Sequence, residues 1–212
     1  MFNEILVATL ETFYMVILST VFAFIGGFVI AIVLTLTAED GLRPNKSVYR
    51  ILDFVVNTLR SFPFVILMVA LFPLSKFIIG TTIGKEAMIV PLSIATAPFI
   101  ARIIEASLRE VDKGVIEAAK SFGATDKQII FKVMFKEAMP SMVSGLTLTI
   151  ISVIGYSAMA GAVAGGGLGD VAIRYGYHRY QTEYMIVTII ILIVIVQVLQ
   201  CLGNYFYKKL SK

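Results

Sequence analysis

Five long apolar stretches constrain the fold of this chain more than any other feature. They run at about residues 12–36, 52–74, 88–108, 141–164 and 184–203. A helix needs about 20 largely apolar residues to cross the hydrocarbon core of a bilayer. Hydrophobic residues make up 58% of the 212-residue chain and charged residues only 15%, which is not the composition of a soluble domain. The sequence therefore predicts an all-α polytopic membrane protein with five transmembrane helices.

Ionisable residues interrupt two of these stretches. Arg60 and Pro63 break the second stretch, and Phe77-Ile78-Ile79 offers an extension beyond its end. In the third stretch, Arg102 and Glu105 lie one helical turn apart and are close enough to pair. Two interpretations stay open: the charges reach the interface along apolar side-chain stems, or they hold the neighbouring polar segment in place.

The distribution of Lys and Arg predicts the orientation, because these residues accumulate on the cytoplasmic side of membrane proteins. With the N-terminus outside and the C-terminus in the cytoplasm, twelve Lys and Arg residues fall on cytoplasmic segments. Only four fall on outer segments, namely Lys76, Lys85, Arg174 and Arg179. The net charge of +4 then follows from topology and does not indicate nucleic-acid binding.

Several classes of site lack the residues they need. A single Cys201 and a single His178 cannot form a Cys/His metal cluster. A nucleotide-binding P-loop needs four residues between its glycines and Ser or Thr after the Lys. The stretch from Gly80 to Lys85 has three such residues and continues with Glu86, so no ATP site is expected in the chain itself. No set of residues suited to catalysis is assembled, and the chain is predicted not to be an enzyme.

The polar segment 109–140 separates the third and fourth stretches and carries eleven of the 32 charged residues of the chain. Asp112 can cap a first short helix over Val115–Ser121, and Gly123 suits the left-handed conformation that ends a helix. Thr125 and Gln128 form the pattern of a capping box that opens a second helix. Pro140 is expected in the first turn of the fourth span. On these residues alone, the segment is either a solvated connector or a lever that a partner grips.

The fourth and fifth stretches differ in kind. The fifth is almost continuously aliphatic, which is typical of a helix in contact with lipid. The fourth is interrupted by small and hydroxyl residues, which allow close helix packing in membranes: Ser141, Ser144, Gly145, Thr147, Thr149, Ser152, Gly155, Ser157 and Gly161. It is interpreted either as a packed interior helix or as a helix lining a translocation path or a dimer seam.

The polar segment resembles a known family. Glu117-Ala118-Ala119, followed by Gly123, matches the EAA motif of the membrane subunits of binding-protein-dependent ABC importers. In that family the segment forms a coupling helix that docks into a cleft on a separate cytoplasmic ATPase. Many members have Pro where this chain has Lys136, so the second helix is expected to run on a little longer, with coupling intact.

Three further stretches resemble the methionine importer permeases, namely Arg60-Ser-Phe-Pro63-Phe64, Gly155-Tyr156-Ser157-Ala158-Met159 and Gly165-Gly166-Gly167-Leu168-Gly169. The resemblance implies a type I importer permease fold with residues 1–212 as one transmembrane domain. It implies a multi-pass protein of the bacterial inner (plasma) membrane that imports an amino acid by alternating access. Methionine is the expected solute, in its L form, with the D form left open.

The same resemblance implies the partners. They are a second copy of the chain, two ATP-binding cassette subunits that use ATP and Mg²⁺, an extracytoplasmic substrate-binding lipoprotein, the small amino-acid substrate and membrane lipid. No cofactor belongs to the chain itself. Two alternatives stay open: a permease for a compatible solute such as glycine betaine, or an ATP-independent secondary transporter. Against the secondary transporter, the sequence has no internal repeat and no mid-membrane coupling carboxylate.

Roles for particular residues also follow from the resemblance. Glu117, Ala118, Ala119 and Gly123 are expected to contact the ATPase. Tyr156, Ser157 and Met159 are expected to line the path or its gate near a twofold axis, although packing without solute contact is an equal alternative. The outer glycine-rich loop is formed by Gly165, Gly166, Gly167 and Gly169.

Overall fold

The computed structural model describes residues 1–211, which contain helices and no strand. The helices are α1 (Phe2–Thr37), α2 (Lys46–Ser61), α3 (Phe64–Ala70), α4 (Phe72–Ile79), α5 (Lys85–Arg109), α6 (Lys113–Ser121), α7 (Asp126–Gln128), α8 (Phe135–Gly161), α9 (Gly167–Val171) and α10 (Thr182–Leu210). Turns of π-helix at Ile129–Met134 and Ala172–Tyr177 follow α7 and α9. The predicted all-α class is confirmed.

Among residues 1–211, four helices are long and apolar enough to cross a membrane, and a bent pair makes a fifth candidate span. The four are α1, α5, the continuous helix Asp126–Gly161 and α10. They correspond to four of the predicted stretches and extend beyond them at their ends, except that the helix of the fourth stretch ends at Gly161, before the predicted end at about residue 164. Thus α1 begins at Phe2 and not near residue 12, because a helix does not have to end where the bilayer does.

The second span is not the continuous helix expected at about 52–74. It consists of α2 and α3, which meet at an angle of 106°. Phe62 is extended, with φ −71° and ψ 134°, and Pro63 has ψ 127°. Proline disfavours the helical conformation of the residue before it, which explains why α2 ends at Ser61. A second interruption at Leu71 separates α3 from α4.

The expectation that Pro140 opens the fourth span is wrong. The helix that begins at Asp126 passes through the π-helical turn and continues to Gly161, so Pro140 lies in its interior. Membrane helices tolerate an internal proline where neighbouring groups and local changes of helix type satisfy the freed backbone groups. The longer helix expected from Lys136 is present.

Small residues set the closest helix contacts. A Cβ added to Gly27 would lie 2.6 Å from the Ala97 carbonyl oxygen, and one added to Gly145 would lie 2.4 Å from Ile103 Cγ2. The part of α8 near Gly145 is therefore packed interior, whereas a Cβ at Gly155 would meet nothing within 4 Å. Only Thr188 and Gly203 of α10 are buried, which agrees with the expected lipid-facing helix.

Candidate functional site

The polar segment between α5 and α8 folds as its capping residues predict. Asp112 Oδ1 accepts the Gly114 N–H at 2.7 Å, and α6 begins at Lys113, slightly earlier than expected. Gly123 has φ +76° and turns the chain out of α6, a conformation that glycine adopts without strain. The predicted capping box is present, since Thr125 N–H donates to Gln128 Oε1 at 2.8 Å.

One face of α6 packs on the core of the bundle and the other is exposed. Ile116 and Ala119 pack against a buried cluster with members on α1, α5 and α8. The cluster includes residues from the end of α5, the loop after it and the π-helical turn: Ile104, Leu108, Val111, Ile129, Ile130 and Met134. Glu117 and Ala118 lie on the exposed side. Of the EAA triplet, Glu117 and Ala118 are thus free to contact another protein, while Ala119 seats the helix.

Phe122, next to the EAA triplet, was not singled out in the sequence and is 92% exposed. An aromatic residue directly after a short helix with charged side chains was the available signal. Val115, 41% exposed, lies on the same face two turns earlier. Exposed apolar side chains that share one face are typical of a protein interaction surface.

A charge network centred on Glu105 joins α6 to the spans. Glu105 is only 2% exposed. Its carboxylate accepts a hydrogen bond from the Tyr49 hydroxyl at 3.1 Å and forms ion pairs with Arg102 at 2.7 Å and Arg109 at 3.6 Å. A buried charge is costly unless it is paired and hydrogen-bonded, as this one is. Tyr49 belongs to α2, so Glu105 connects the second and third spans.

The network continues at both ends. Arg102 also binds Asp53 at 2.6 Å and Asn57 at 3.0 Å, both on α2. Arg109 binds Asp40 at 3.0 Å, and Lys113, the first residue of α6, reaches the same carboxylate at 3.6 Å. Of the two interpretations of Arg102 and Glu105, these contacts favour the one in which they hold the polar segment.

The helix Asp126–Gly161 is fixed separately, at Ser141 and at its first residue. The Ser107 hydroxyl donates to Ser141 Oγ at 3.1 Å, and the Ser141 hydroxyl donates to Glu110 Oε2 at 2.9 Å. Arg43, in the loop after α1, forms an ion pair with Asp126. Together, these contacts join α6 and the helix after it to α2, α5 and the loop after α1.

A cavity of about 360 Å³ opens where the second span bends. The Phe64 ring stacks on Tyr156, with centroids 4.5 Å apart and planes at 16°. Tyr156 and Met159 line this cavity together with Arg60 and Phe99. Ser157 does not line it; its side chain is buried and donates to the Ile154 carbonyl at 2.8 Å. The contacts of Ser157 thus support packing within the bundle.

The glycine-rich segment closes the opposite end of the bundle. Gly167 has φ +75°, and its N–H donates to Glu11 Oε2 at 3.1 Å. Cβ atoms at Gly165 and Gly169 would lie 2.6 Å from the Ala160 carbonyl oxygen and 2.2 Å from that of Ala158. The glycines therefore allow α9 to fold back onto α8.

Polar contacts tie the same segment to α1. Gly166 lies against the Glu11 carboxylate, which also pairs with Lys85 at 3.3 Å, and Leu168 N–H donates to Thr12 Oγ1 at 2.9 Å. Beside it, burial raises the pKa of Asp170, and Glu11 contributes in the same direction. Arg174, 2.7 Å away, acts against that rise.

The structure is thus a polytopic helical bundle that exposes a short helix with charged side chains between two of its spans. Residues 23–212 match the family described as binding-protein-dependent transport system inner membrane component. The chain belongs to this family and is a multi-pass inner-membrane protein.

Two similar proteins within this family are named for methionine transport. The chain is 48% identical over 207 residues to the probable D-methionine transport system permease protein MetI of Vibrio cholerae, covering 98% of this chain and 92% of that one. It is 44% identical over 210 residues to the methionine import system permease protein MetP of Bacillus subtilis, covering 99% and 95%.

Solved structures agree. An inward-facing structure of the MetNI methionine ABC transporter superposes with a TM-score of 0.97 at 38% identity, covering 100% of this chain and 98% of that chain. An amino acid ABC transporter at 20% identity has a TM-score of 0.80, which shows the common fold. The predicted type I importer permease fold is confirmed.

Proposed function

We propose that this chain is the permease subunit of an ATP-driven importer that carries methionine into the cell. The observation that carries the proposal is its match, over its whole length, to the MetNI methionine ABC transporter. Relatives covering 98% and 99% of the chain are named for methionine transport as well. The chain is not an enzyme; a separate subunit hydrolyses ATP with Mg²⁺.

The partner for α6 is this ATPase. Glu117, Ala118 and Phe122 form the exposed contact face, and Gly123 lets the chain turn away immediately after it. Ile116 and Ala119 fix the other face to the bundle. A helix held in this way moves together with the spans, so a force applied by the ATPase reaches them.

Two copies of the chain enclose the translocation path, and two ATPase subunits bind them on the cytoplasmic side. The part of α8 that carries Gly155 and Met159 is open in the single chain: a Cβ at Gly155 would have no neighbour, and Met159 is 48% exposed. This exposure supports a seam or path at the twofold axis. Tyr156 and Met159 line that path, while Ser157 supports it from the packed side.

The N-terminus lies outside the cell and the C-terminus and α6 lie in the cytoplasm, because the Lys and Arg residues concentrate there. The glycine-rich segment, Gly165 to Gly169, then lies at the outer face, where a substrate-binding lipoprotein delivers its solute. In alternating access, ATP binding closes the ATPase pair, moves α6 and turns the path outward; hydrolysis restores the inward-facing form.

Solute competition tests this proposal in cells that lack their own methionine importers. The chain is expressed with an ATPase and a binding protein, and uptake of radiolabelled methionine is measured with excess unlabelled methionine or glycine betaine. Competition by methionine alone is expected. Competition by betaine alone would indicate a compatible-solute permease, and equal uptake without the ATPase would indicate a secondary transporter.

A further inference from the structure

Arg60 occupies an unusual place for a charged residue. It lies within the second apolar stretch of the sequence, at the end of α2 and three residues before Pro63, where the span bends. Charged residues in membrane-spanning segments are costly and commonly mark solute or ion pathways.

No acidic side chain among the described residues pairs with Arg60. Arg102, which is partly buried, is held by the carboxylates of Asp53 and Glu105, whereas Arg60 is exposed in the single chain. Arg60 forms no salt bridge with any of residues 1–211. Its guanidinium lies over the Phe99 ring, 5.2 Å from the centroid. Such a contact stabilises the cation by only about 0.5–2 kcal/mol and leaves its N–H groups free to bind an anion.

The lining of the cavity beside Arg60 combines two kinds of chemistry. Arg60 contributes a cation, and the stacked rings of Phe64 and Tyr156, with the Met159 thioether, contribute an apolar surface. Its volume of about 360 Å³ is within the range of about 300–1,000 Å³ that is typical of small-molecule sites. A carboxylate can pair with a guanidinium through two hydrogen bonds, and sulfur packs favourably on aromatic rings.

We propose that this cavity is a solute site within the spans, where Arg60 binds the carboxylate of an apolar amino acid whose side chain packs on Phe64, Tyr156 and Met159. The proposal rests on the importer function and adds a binding step between delivery and release. Because the bend at Pro63 places Arg60 and Phe64 on the same cavity, movement of α2 against α3 would change the site.

The test measures binding to the purified transporter, permease with ATPase, without ATP and without the binding protein. Equilibrium dialysis gives the affinity for radiolabelled methionine, and methioninol, which has an alcohol in place of the carboxylate, serves as competitor. The variants are Arg60→Gln and Arg60→Lys. The matched control is Arg50→Gln, an exposed arginine on the same helix that does not line the cavity.

Loss of a charge-assisted contact is expected to weaken methionine binding by roughly 10- to 100-fold in Arg60→Gln. Methioninol should bind that variant as it binds the wild type, Arg60→Lys should recover part of the loss, and Arg50→Gln should bind like the wild type. Unchanged methionine binding in Arg60→Gln would overturn the proposal. So would equal losses for methionine and methioninol, which would show that Arg60 only supports the structure.

Two controls separate this inference from the importer function. Uptake of methionine by the wild type, with ATPase and binding protein, tests the function alone. If uptake occurs but the transporter binds no methionine within its spans, only the inference fails. Size-exclusion chromatography shows whether Arg60→Gln still forms the complete complex; loss of the two-copy assembly would place the partner of Arg60 on the second copy and overturn the solute site.

Discussion

Replacing Phe122 by Ala tests whether α6 is an interface to another protein. The Phe122 side chain is 92% exposed in the chain, so its removal takes almost no contact from the permease itself. Surface substitutions of this kind change the free energy of unfolding by about 0.5 kcal/mol or less. Phe122→Ala is therefore expected to insert and purify like the wild type.

The same substitution should weaken the complex with the ATPase strongly. Complete burial of a Phe side chain contributes about 1.5–3 kcal/mol, which corresponds to a factor of roughly 10–150 in the dissociation constant. Aromatic residues in a desolvated pocket are also the commonest sites of large binding losses. We expect a dissociation constant raised at least tenfold, with a matching loss of uptake at limiting ATPase concentration.

The assay is binding of the fluorescently labelled ATPase to the detergent-solubilised permease. Phe77→Ala is the control, because Phe77 is 87% exposed on α4, away from α6. Equal dissociation constants for the wild type and both variants would refute the assignment of the exposed α6 face as the ATPase contact. An equal loss in both variants would show a general effect of removing exposed phenylalanines.

Three further substitutions probe the turn, the charge network and the packing. Gly123→Val, where φ is +76°, costs about 1–2 kcal/mol of backbone strain and should raise the number of ATP molecules hydrolysed per methionine imported. Gly80→Val, at φ +90° in similarly open space, is the control and should leave that ratio unchanged. An equal ratio in the two variants would contradict the role of Gly123. Glu105→Gln removes a buried charge between two arginines, each of which keeps a second carboxylate partner. It should lower the unfolding free energy by about 1–3 kcal/mol, seen as a lower melting temperature in detergent. An unchanged melting temperature would contradict the importance of the network. Gly145→Ala places a methyl group against the Ile103 side chain of α5 and should lower the free energy of unfolding by about 1–3 kcal/mol. Gly155→Ala meets no neighbour and should leave it unchanged. Equal stability of the two variants would contradict the packing.

Features governed by local rules could be predicted from the sequence. The length and hydropathy of a stretch determine whether it can cross a bilayer, so four spans and the existence of a fifth were predictable. The cap at Asp112, the turn at Gly123 and the capping box at Thr125 depend on residues at most three positions apart. For this reason the bounds of α6 and the start of α7 were predicted to within two residues, whereas the end of the polar segment at Pro140 was not.

Features that depend on distant residues were not predictable in this way. Pro63 indicated an interruption, but the 106° bend is accompanied by stacking of Phe64 on Tyr156, about ninety positions away in the sequence. Glu105 binds Tyr49, 56 positions away. To predict that the helix continues through Pro140, one would first have to predict the π-helical turn before it, and no local pattern indicates such a turn.

The sequence pattern also did not predict which residues of α6 are exposed and which pack on the core. Ala118 and Ala119 are chemically identical neighbours, yet one is exposed and the other packs on the core. The core under α6 comes from different spans, so its position follows from the tertiary structure.

ATP-dependent uptake in proteoliposomes tests the central claim most directly. The permease and its ATPase are reconstituted with loaded binding protein outside, and radiolabelled methionine is followed with Mg²⁺ and ATP sealed inside or left out. We predict accumulation against a gradient only when both ATP and the ATPase are present, and its loss in Phe122→Ala. Equal accumulation without ATP, or by the permease alone, would contradict the account.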